Sequence, residues 1–342
     1  MTRTPGESFA DRHWPGADAR AQAERVVRRI QDRICAGVME VEAHASLSSS
    51  SSPSPGFRED RWLRPGGNEG GGITRVLQDG HVFEKAGVNV SVVSGTLPEQ
   101  AVQAMRADHA KLQVMTATSG VAFFAAGVSC VLHAQNPFVP TIHCNYRYFE
   151  VDTGAGTIWW VGGGTDLTPA YVFDEDCRAF HTTLKDACDE FDPTYYGRFK
   201  AWCDRYFYLP HRKEARGIGG IFFDDVDELP LARAFAFLAT CGAAFNDAYF
   251  PIVKRRMLDP YTDDDKRWQQ LRRGRYVEFN LIYDRGTRFG IFTPNARIES
   301  VFMSLPLTAR WEYMPDVVPG SREQHLLDVL SAPRDWIRSS DH

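Results

Sequence analysis

The sequence predicts an α+β fold: a single domain in which helices flank a large, mostly antiparallel β-sheet. The candidate strands mostly follow one another through turns, with the candidate helices grouped between them, whereas a parallel sheet needs strands and helices in alternation. Neither an internal repeat nor a clear linker interrupts residues 78–338. The 342 residues are 43% hydrophobic and 12% aromatic, which is enough apolar material for one large core.

Composition narrows the classes of function. The net charge of −5 gives no overall attraction to nucleic acid, and no apolar run approaches the length of a transmembrane helix. The first residues, MTRTPGESFADRHWPG, lack the apolar stretch of a signal peptide and carry acids early, so a cytoplasmic location is predicted, with mitochondrial association as the alternative. The seven cysteines are scattered without CxxC spacing, which predicts buried, reduced thiols rather than a zinc or iron–sulfur site.

Residues 1–77 are predicted to form an N-terminal segment that packs on a domain formed by residues 78–342. Apolar residues at helical spacing predict an amphipathic helix over 17–45. Two following stretches are predicted to be flexible: the serine-rich 46–56, SLSSSSSPSPG, and the glycine-rich 64–72, RPGGNEGGG. The glycine run lacks the Lys-Ser/Thr pair of a phosphate-binding loop, so an ordinary loop is the better interpretation.

In the larger part, β-branched and aromatic runs predict strands, and longer runs with helical spacing predict helices. The predicted strands cover residues 88–94, 123–133, 140–150, 157–161, 217–223, 276–283, 287–293 and 299–305. The predicted helices cover residues 97–111, 174–191, 193–206, 229–257, 263–272 and 324–330. We expect Asp174 to cap its helix, Pro251 to break the helix 229–257, and a hairpin to turn at Asp284-Arg285-Gly286.

The predicted strand 140–150, PTIHCNYRYFE, is the first candidate for a functional site. Side chains alternate across a strand, so His143, Asn145 and Arg147 share one face and the intervening apolar and aromatic residues share the other. The second face suits a core. The first combines an imidazole, an amide and a guanidinium. From this strand alone, a functional surface and a plain polar surface are equally good interpretations.

Four motifs carry a resemblance to a known family: PTIHCNYRYFE (140–150), WWVGGGTDLTP (159–169), RGIGGIFFDD (216–225) and GRYVEFNLIYDRGTRFG (274–290). In these motifs the chain resembles oxygen-dependent coproporphyrinogen III oxidase, a family of haem biosynthesis. The resemblance implies two oxidative decarboxylations that convert coproporphyrinogen III to protoporphyrinogen IX. Two propionates become vinyls, O2 is consumed, and CO2 and H2O2 are released. It also implies a homodimer, whose interface comprises the regions from Tyr276 to Glu312 and from His81 to Val92.

The resemblance also implies site residues. It assigns catalysis to His143, Asp284 and Arg147. It assigns substrate contacts to Ser129, Asn145, Tyr146, Arg147, Asp166, Asn295, Ala296 and Arg297. The residue types fit a tetra-propionate macrocycle, because Arg binds carboxylates bidentately and a carboxylate accepts hydrogen bonds from pyrrole N–H groups. Asp284 is predicted to grip the centre of the macrocycle, with Asp166 as the lesser candidate, while ordinary turn roles remain open for both.

Arginines and histidines complete the candidate set. Six arginines lie beside glycines or at predicted strand ends, which makes a carboxylate-binding cleft plausible: Arg147, Arg216, Arg275, Arg285, Arg288 and Arg297. The resemblance implies proton transfer by His143. It also suggests His133, His143, His181 and His211 as ligands of a divalent metal, but their spacing is not that of a metal pair, so no metal is expected.

No dinucleotide, flavin or pyridoxal-phosphate signature is present, so we expect O2 as co-substrate without a cofactor. A non-catalytic protein that binds haem or another tetrapyrrole is the alternative function.

Overall fold

Seven strands form one antiparallel sheet, and the predicted α+β class is confirmed. The computed structural model describes residues 19–48, 55–64, 70–97, 99–108, 120–154, 156–292 and 296–337. In spatial order the sheet strands are β1 (Arg58–Leu63), β2 (Gly70–Gln78), β3 (Phe83–Leu97), β4 (Val121–Ala134), β5 (Thr141–Asp152), β6 (Thr157–Thr168) and β9 (Gly219–Val226). The two-residue strands β7 (Tyr208–Leu209) and β8 (Glu214–Ala215) form a separate hairpin.

The helices surround this sheet. They are α1 (Ala19–Ser48), α2 (Glu99–Asp108), α3 (Asp174–Asp189), α4 (Tyr195–Tyr206), α5 (Leu231–Arg256), α6 (Asp263–Ile282), α7 (Arg285–Phe292), α8 (Ile298–Val301) and α9 (Arg322–Ser331), with a 3₁₀ turn at Phe302–Ser304. Among the described residues, none of these helices combines the length and the apolar character needed to cross a bilayer.

One face of the sheet is covered by α1 and α5. On β5 this face carries four almost fully buried side chains, Ile142, Cys144, Tyr146 and Tyr148. The apolar residues that predict an N-terminal helix are all buried against it: Val26, Val27, Ile30, Ile34, Val38 and Val41. That predicted helix is therefore confirmed as α1. We call the opposite face, which carries His143, Asn145 and Arg147, the open face.

All seven cysteines are buried free thiols, as predicted: Cys35, Cys130, Cys144, Cys177, Cys188, Cys203 and Cys241. Burial raises the pKa of the Cys35 thiol to about 11 and holds the pKa of Cys130 and Cys203 well above the usual value. Cys130 and Cys144 face each other across β4 and β5 on the helix-covered side. Their packing is that of small apolar residues.

A buried carboxylate on α1 fixes the turn between β2 and β3. Glu42 is fully buried and accepts backbone N–H bonds from His81 (2.8 Å), Val82 (3.1 Å) and Phe83 (2.8 Å). Because three donors of the turn end on this one side chain, α1 is tied to the sheet by hydrogen bonds as well as by apolar packing.

The predicted C-terminal hairpin is wrong. Residues 276–282 form the end of α6, and 285–292 form α7. The predicted strand at 299–305 is wrong as well, because α8 and the 3₁₀ turn occupy it. Helix α6 begins with a capping box between Thr262 and Asp265 and then buries Trp268, Leu271 and Tyr276 at helical spacing. Tertiary packing of that stripe outweighs the strand preference of the Tyr, Val and Phe residues.

Smaller corrections concern a predicted helix break, a predicted helix cap and the predicted flexible stretches. Pro251 does not break α5; it lies on the exposed side, where water can satisfy the carbonyl that loses its partner. Asp174 does not cap α3, because Phe173 is the N-cap residue. Residues 46–48 and 70–72, predicted to be flexible, lie in α1 and β2. In the rest of those two stretches, residues 55–56 and 64 have no regular structure, and 49–54 and 65–69 fall outside the described residues. The sequence does not predict β1.

Candidate functional site

The middle of the open face consists mostly of small residues. In one cross-strand row Asn89, Ser129, Asn145 and Gly164 stand opposite one another on β3, β4, β5 and β6. In the neighbouring row the sequence is Ser91, Gly127, Arg147 and Gly162. Apart from Arg147 these side chains are short or absent, so the sheet offers a broad, low floor with hydrogen-bonding groups. A flat ligand can lie against such a floor.

One end of the floor is closed by the C-terminal segment. Lys85 donates to the carbonyls of Phe302 (3.2 Å) and Leu305 (2.8 Å), and His133 Nε2 donates to the Ser304 carbonyl at 2.9 Å. Burial lowers the pKa of His133 to about 4, so this imidazole is neutral. Its role is to hold the 3₁₀ turn on the sheet.

Next to the floor lies a buried acid–base group. His143 Nδ1 is 2.8 Å from Asp166 Oδ1, and Arg216 Nη2 donates to Asp166 Oδ1 at 2.9 Å and to Oδ2 at 2.7 Å. Burial alone would raise the pKa of the Asp166 carboxyl, but Arg216 and His143 outweigh burial and the pKa lies below its usual range. The ionised carboxylate can only accept, so His143 Nδ1 carries the hydrogen and Nε2 is the nitrogen that can exchange a proton.

Aromatic rings enclose the Arg216 guanidinium. Its central carbon lies 4.1 Å from the ring centre of Phe207 and 4.7 Å from those of Tyr276 and Phe279, and Nη1 donates to Asn280 Oδ1 at 3.2 Å. These contacts come from α6 and from the end of α4, so the packing of helices on the sheet sets the position of Asp166. His143 stands directly opposite Asp166 on the neighbouring strand, so both side chains lie side by side on the open face.

A second charged group lies beside the first. Arg147 donates from Nη1 to Asn145 Oδ1 at 2.8 Å, and its Nη2 forms an ion pair with Asp224 Oδ2 at 2.7 Å. Arg285 Nη2 reaches the same Asp224 oxygen at 3.5 Å. Beyond these partners the Arg147 guanidinium has further N–H donors. This part of the open face is therefore suited to bind carboxylates.

Asp284 lies between α6 and α7, not at the tip of a hairpin. Its Oδ2 accepts from the backbone N–H of Thr287 at 2.7 Å, which caps the start of α7, and its Oδ1 accepts from the Tyr206 hydroxyl at 3.1 Å. The same hydroxyl accepts from the Arg285 backbone N–H at 3.2 Å. The predicted turn role is thus present in the form of a helix cap, and each carboxylate oxygen keeps a further lone pair.

The remaining predicted substrate contacts divide by location. Ser129 and Asn145 lie on the floor, whereas Tyr146 lies on the helix-covered face, where its hydroxyl meets Thr165 and the Cys241 carbonyl. Ala296 and Arg297 precede α8 near the β1 edge of the sheet, where Arg297 pairs with Asp60. β1 and β5 are four strand spacings apart, about 19 Å. Asn295 lies outside the described residues.

The four histidines suggested as metal ligands do not converge. His181 is fully buried between the Tyr196 hydroxyl and the Ile218 carbonyl, and burial lowers its pKa to about 3. His211 is held by Tyr283 and Glu278 at the surface. His133 and His143 belong to the two separate groups described above. Within the described residues, no three or more His, Cys, Asp or Glu side chains are grouped to hold a metal ion.

Sequence reasoning missed two residues of this site. The motif RGIGGIFFDD contains Asp224 without indicating a role for it, and the sequence predicts Tyr206 only as the end of a helix. The available signal was the motif itself, since two adjacent acids that end a glycine-rich strand are unusual neighbours for a core. Arg216 was named only as one of six arginines.

Known proteins resemble this chain over most of its length. The family model described as coproporphyrinogen III oxidase matches residues 22–336. A Drosophila melanogaster protein named oxygen-dependent coproporphyrinogen-III oxidase is 56% identical over 303 residues, covering 88% of this chain and 76% of the relative. The mitochondrial protein of that name from Mus musculus is 53% identical and covers 94% and 69%, and the chloroplastic one from Glycine max is 51% identical and covers 96% and 82%. The chain therefore belongs to the coproporphyrinogen III oxidase family.

Proposed function

We propose that the protein catalyses the aerobic oxidative decarboxylation of coproporphyrinogen III to protoporphyrinogen IX in haem biosynthesis. The observation that carries the proposal is the open face, where His143, held by the Asp166–Arg216 pair, stands on the same strand as the carboxylate-binding Arg147. Membership of the family supplies the reaction. Together they favour an oxidase over a protein that only binds haem or another tetrapyrrole.

Substrate binding rests on charge. The propionates of the substrate are ionised at neutral pH, because carboxyl groups titrate near pH 4. Arg147 can offer charged hydrogen bonds, and the nearby Arg285 guanidinium adds positive charge. One well-made bond of this type contributes about 1.5–3 kcal/mol. Ser129 and Asn145 would contact the macrocycle on the floor. Arg297, near the β1 edge of the sheet, would bind a carboxylate at the opposite end of the substrate macrocycle.

Asp284 is the proposed partner of the macrocycle centre. Pyrrole rings present N–H donors and no acceptors, so a carboxylate that has unused lone pairs is the matching group. The Tyr206 hydroxyl and the Thr287 N–H fix its orientation in advance. A fixed negative charge would also stabilise positive charge that develops as the ring loses electrons.

Each decarboxylation removes two electrons from a propionate. A hydride equivalent leaves the carbon next to the pyrrole, the carbon–carboxyl bond breaks, and the pair from that bond forms the vinyl group as CO2 departs. O2 takes up the two electrons and, with one further proton, forms H2O2. His143 Nε2 is the proposed partner in exchanging this proton, and the Asp166 contact at Nδ1 supports this by orienting the ring. The electron-rich macrocycle can supply the electronic push that a cofactor supplies elsewhere, so no cofactor is proposed and metal dependence is not expected.

Incubating the pure protein with coproporphyrinogen III in air tests the proposal. We expect protoporphyrinogen IX, with one O2 consumed and one CO2 released for each propionate lost, and with the same rate after treatment with a chelator. A protein that only binds tetrapyrroles would bind the compound and leave its carboxylates intact, and that outcome would refute the oxidase.

His143→Ala is expected to lower kcat by a factor of about 10² to 10⁴, the usual cost of losing an acid–base group. Substrate affinity and thermal stability should change little, because His143 is partly exposed and Arg147 keeps its own partners. Steady-state kinetics and thermal melting measure both. His181→Asn is not a suitable control, since it is a core change; His44→Ala, on α1, is the matched surface histidine. Activity of His143→Ala within a few-fold of wild type would contradict the proton-transfer role.

A homodimer is the proposed assembly, with the regions from Tyr276 to Glu312 and from His81 to Val92 at its interface. Exposed large apolar side chains support the first region: Leu281, Ile282, Phe292, Ile298, Leu307 and Trp311. Light scattering at micromolar concentration should give twice the chain mass. Phe292→Glu should shift the mass toward the monomer, whereas Leu258→Glu, equally apolar and exposed but outside both regions, should not. A monomeric wild type would count against the assembly.

The cytoplasmic location stays a prediction. Relatives whose names place them in mitochondria and in chloroplasts make association with an organelle the alternative.

A further inference from the structure

Asp224 lies on the open face near the end of β9, beside a β-bulge. Phe222 stands opposite Gly164 and the buried Phe223 opposite Gly163, so alternation along the strand puts Phe222 and Asp224 on the same, open face. Val161 pairs with Val226 and Gly163 pairs with Phe223, so Gly162 on β6 stands opposite both Asp224 and Asp225 on β9. Asp225 has a φ of 58°, in the left-handed region that few side chains other than Asp and Asn tolerate. A bulge of this kind bends its strand and redirects a side chain. Here the bulge reverses the alternation after Asp224, so that Val226 lies on the helix-covered side opposite Val161.

Gly162 clears the path between Asp224 and Arg147. The two residues stand on β9 and β5, with β6 between them, so their backbones are separated by about 10 Å. A Cβ on Gly162 would lie 2.5 Å from Asp224 Oδ1 and 2.8 Å from both Cζ and Nη2 of Arg147. Only glycine lets the two side chains meet above β6. Their 2.7 Å ion pair therefore depends on the open face that they share and on the missing side chain of Gly162.

Asp224 is also the point where two separate elements meet. Arg147 comes from β5, whereas Arg285 is the first residue of α7 and follows Asp284 directly. Both guanidiniums reach the same oxygen, Asp224 Oδ2, at 2.7 and 3.5 Å. Asn145 Oδ1 accepts from Nη1 of Arg147, and Asp224 binds Nη2. Both terminal nitrogens of the guanidinium are therefore held, which fixes the direction of its remaining N–H groups.

From this arrangement we propose that Asp224 is a positioning residue. It fixes the Arg147 fork to receive a substrate carboxylate and aligns it with Arg285 beside Asp284. The inference rests on the proposed function and deepens it, since it assigns the orientation of the carboxylate-binding arginines to one side chain. Asp224 acts through Arg147 and does not itself contact substrate.

The test is a double-mutant cycle on kcat/KM for coproporphyrinogen III. Asp224→Asn keeps the shape and removes the charge, and we expect it to lower kcat/KM by about 10- to 100-fold, the worth of one charged hydrogen bond. In an Arg147→Ala background the same change should cost less than about 3-fold, because residues that act through one another are not additive. Gly162→Ala, which leaves every charge in place, should reproduce the defect of Asp224→Asn.

Glu228→Gln is the matched control. It removes one carboxylate charge from the connection that follows β9, where Glu228 pairs only with the surface residue Arg198 among the ion pairs of the described chain, and it should leave kcat/KM unchanged. Thermal melting of each variant separates loss of fold from loss of alignment. Full additivity with Arg147→Ala, or tighter substrate binding by Asp224→Asn, would overturn the proposal.

Failure of the proposed function would look different. If the wild type forms no protoporphyrinogen IX, the oxidase proposal falls, and the same cycle is then measured on the affinity for coproporphyrin, the oxidised and fluorescent macrocycle. A cycle that is non-additive in affinity supports the role of Asp224, and an additive one refutes it.

Discussion

Asp284→Asn is expected to lower kcat by a factor of about 10² to 10³ while the protein stays folded, a loss typical of removing one fixed electrostatic partner from a transition state. The amide oxygen of Asn can take the place of Oδ2 and accept from the Thr287 N–H, while its NH2 group can donate to the Tyr206 hydroxyl oxygen, so the cap of α7 survives. What disappears is the negative charge. Steady-state kinetics report the loss, and circular dichroism with thermal melting reports the fold.

Asp284→Ala serves as the companion variant. It removes the cap as well as the charge and should cost about 1 kcal/mol of additional stability. If Asp284→Asn turned over at the wild-type rate, Asp284 would be a helix cap and nothing more. Asp166 could not readily take over the macrocycle, since both of its oxygens are bound by Arg216 and one also by His143.

Arg216→Met should lower the free energy of unfolding by about 3–5 kcal/mol, the cost of leaving one member of a buried ion pair without its partner. Both Arg216 and Asp166 are 2% exposed, so water cannot compensate the carboxylate. The methionine fills much of the space between Phe207, Tyr276 and Phe279 but supplies no donor. Denaturant unfolding gives the free energy directly.

The double variant Asp166→Asn/Arg216→Met is the control for charge. It removes both members of the pair and should recover most of the lost stability, because an apolar or neutral replacement of a buried pair is often nearly neutral. Its activity should stay low, since His143 no longer faces a carboxylate. A single Arg216→Met variant that loses less than about 1 kcal/mol would show that the Asp166 charge is compensated by other groups.

Local patterns were enough to predict the centre of the sheet. The alternation in β5 separates His143, Asn145 and Arg147 from the buried residues of the same strand, and the structure has that arrangement. The same reasoning failed at α6, where Tyr276, Val277 and Phe279 have strand preferences but pack as a helical stripe. The strand preference of a residue has a smaller effect than the surface against which it packs. A single sequence does not show which surface that is.

The site was predictable in its residues more than in its geometry. Asp284 was chosen from the resemblance, and its position in the motif did not depend on the secondary structure assigned to it. Asp224 could not be chosen this way, because its role follows from the pairing of β9 beside β6 and from the close approach that Gly162 allows. Neither feature has a signature in the spacing of residues, since both depend on which strands are neighbours in the sheet.

The burial of the thiols has a consequence for the lifetime of the catalyst. H2O2, the by-product of the proposed reaction, oxidises cysteine through the thiolate, and a thiol in an apolar environment with a raised pKa forms little thiolate. Cys144 follows His143 in the chain, but its side chain lies on the other face of β5 among apolar neighbours. For the cysteines in the helix-covered core, Cys144 among them, the sheet is thus a barrier between the face where peroxide is released and the oxidisable sulfur, which would protect these thiols from the enzyme's own by-product through repeated turnovers.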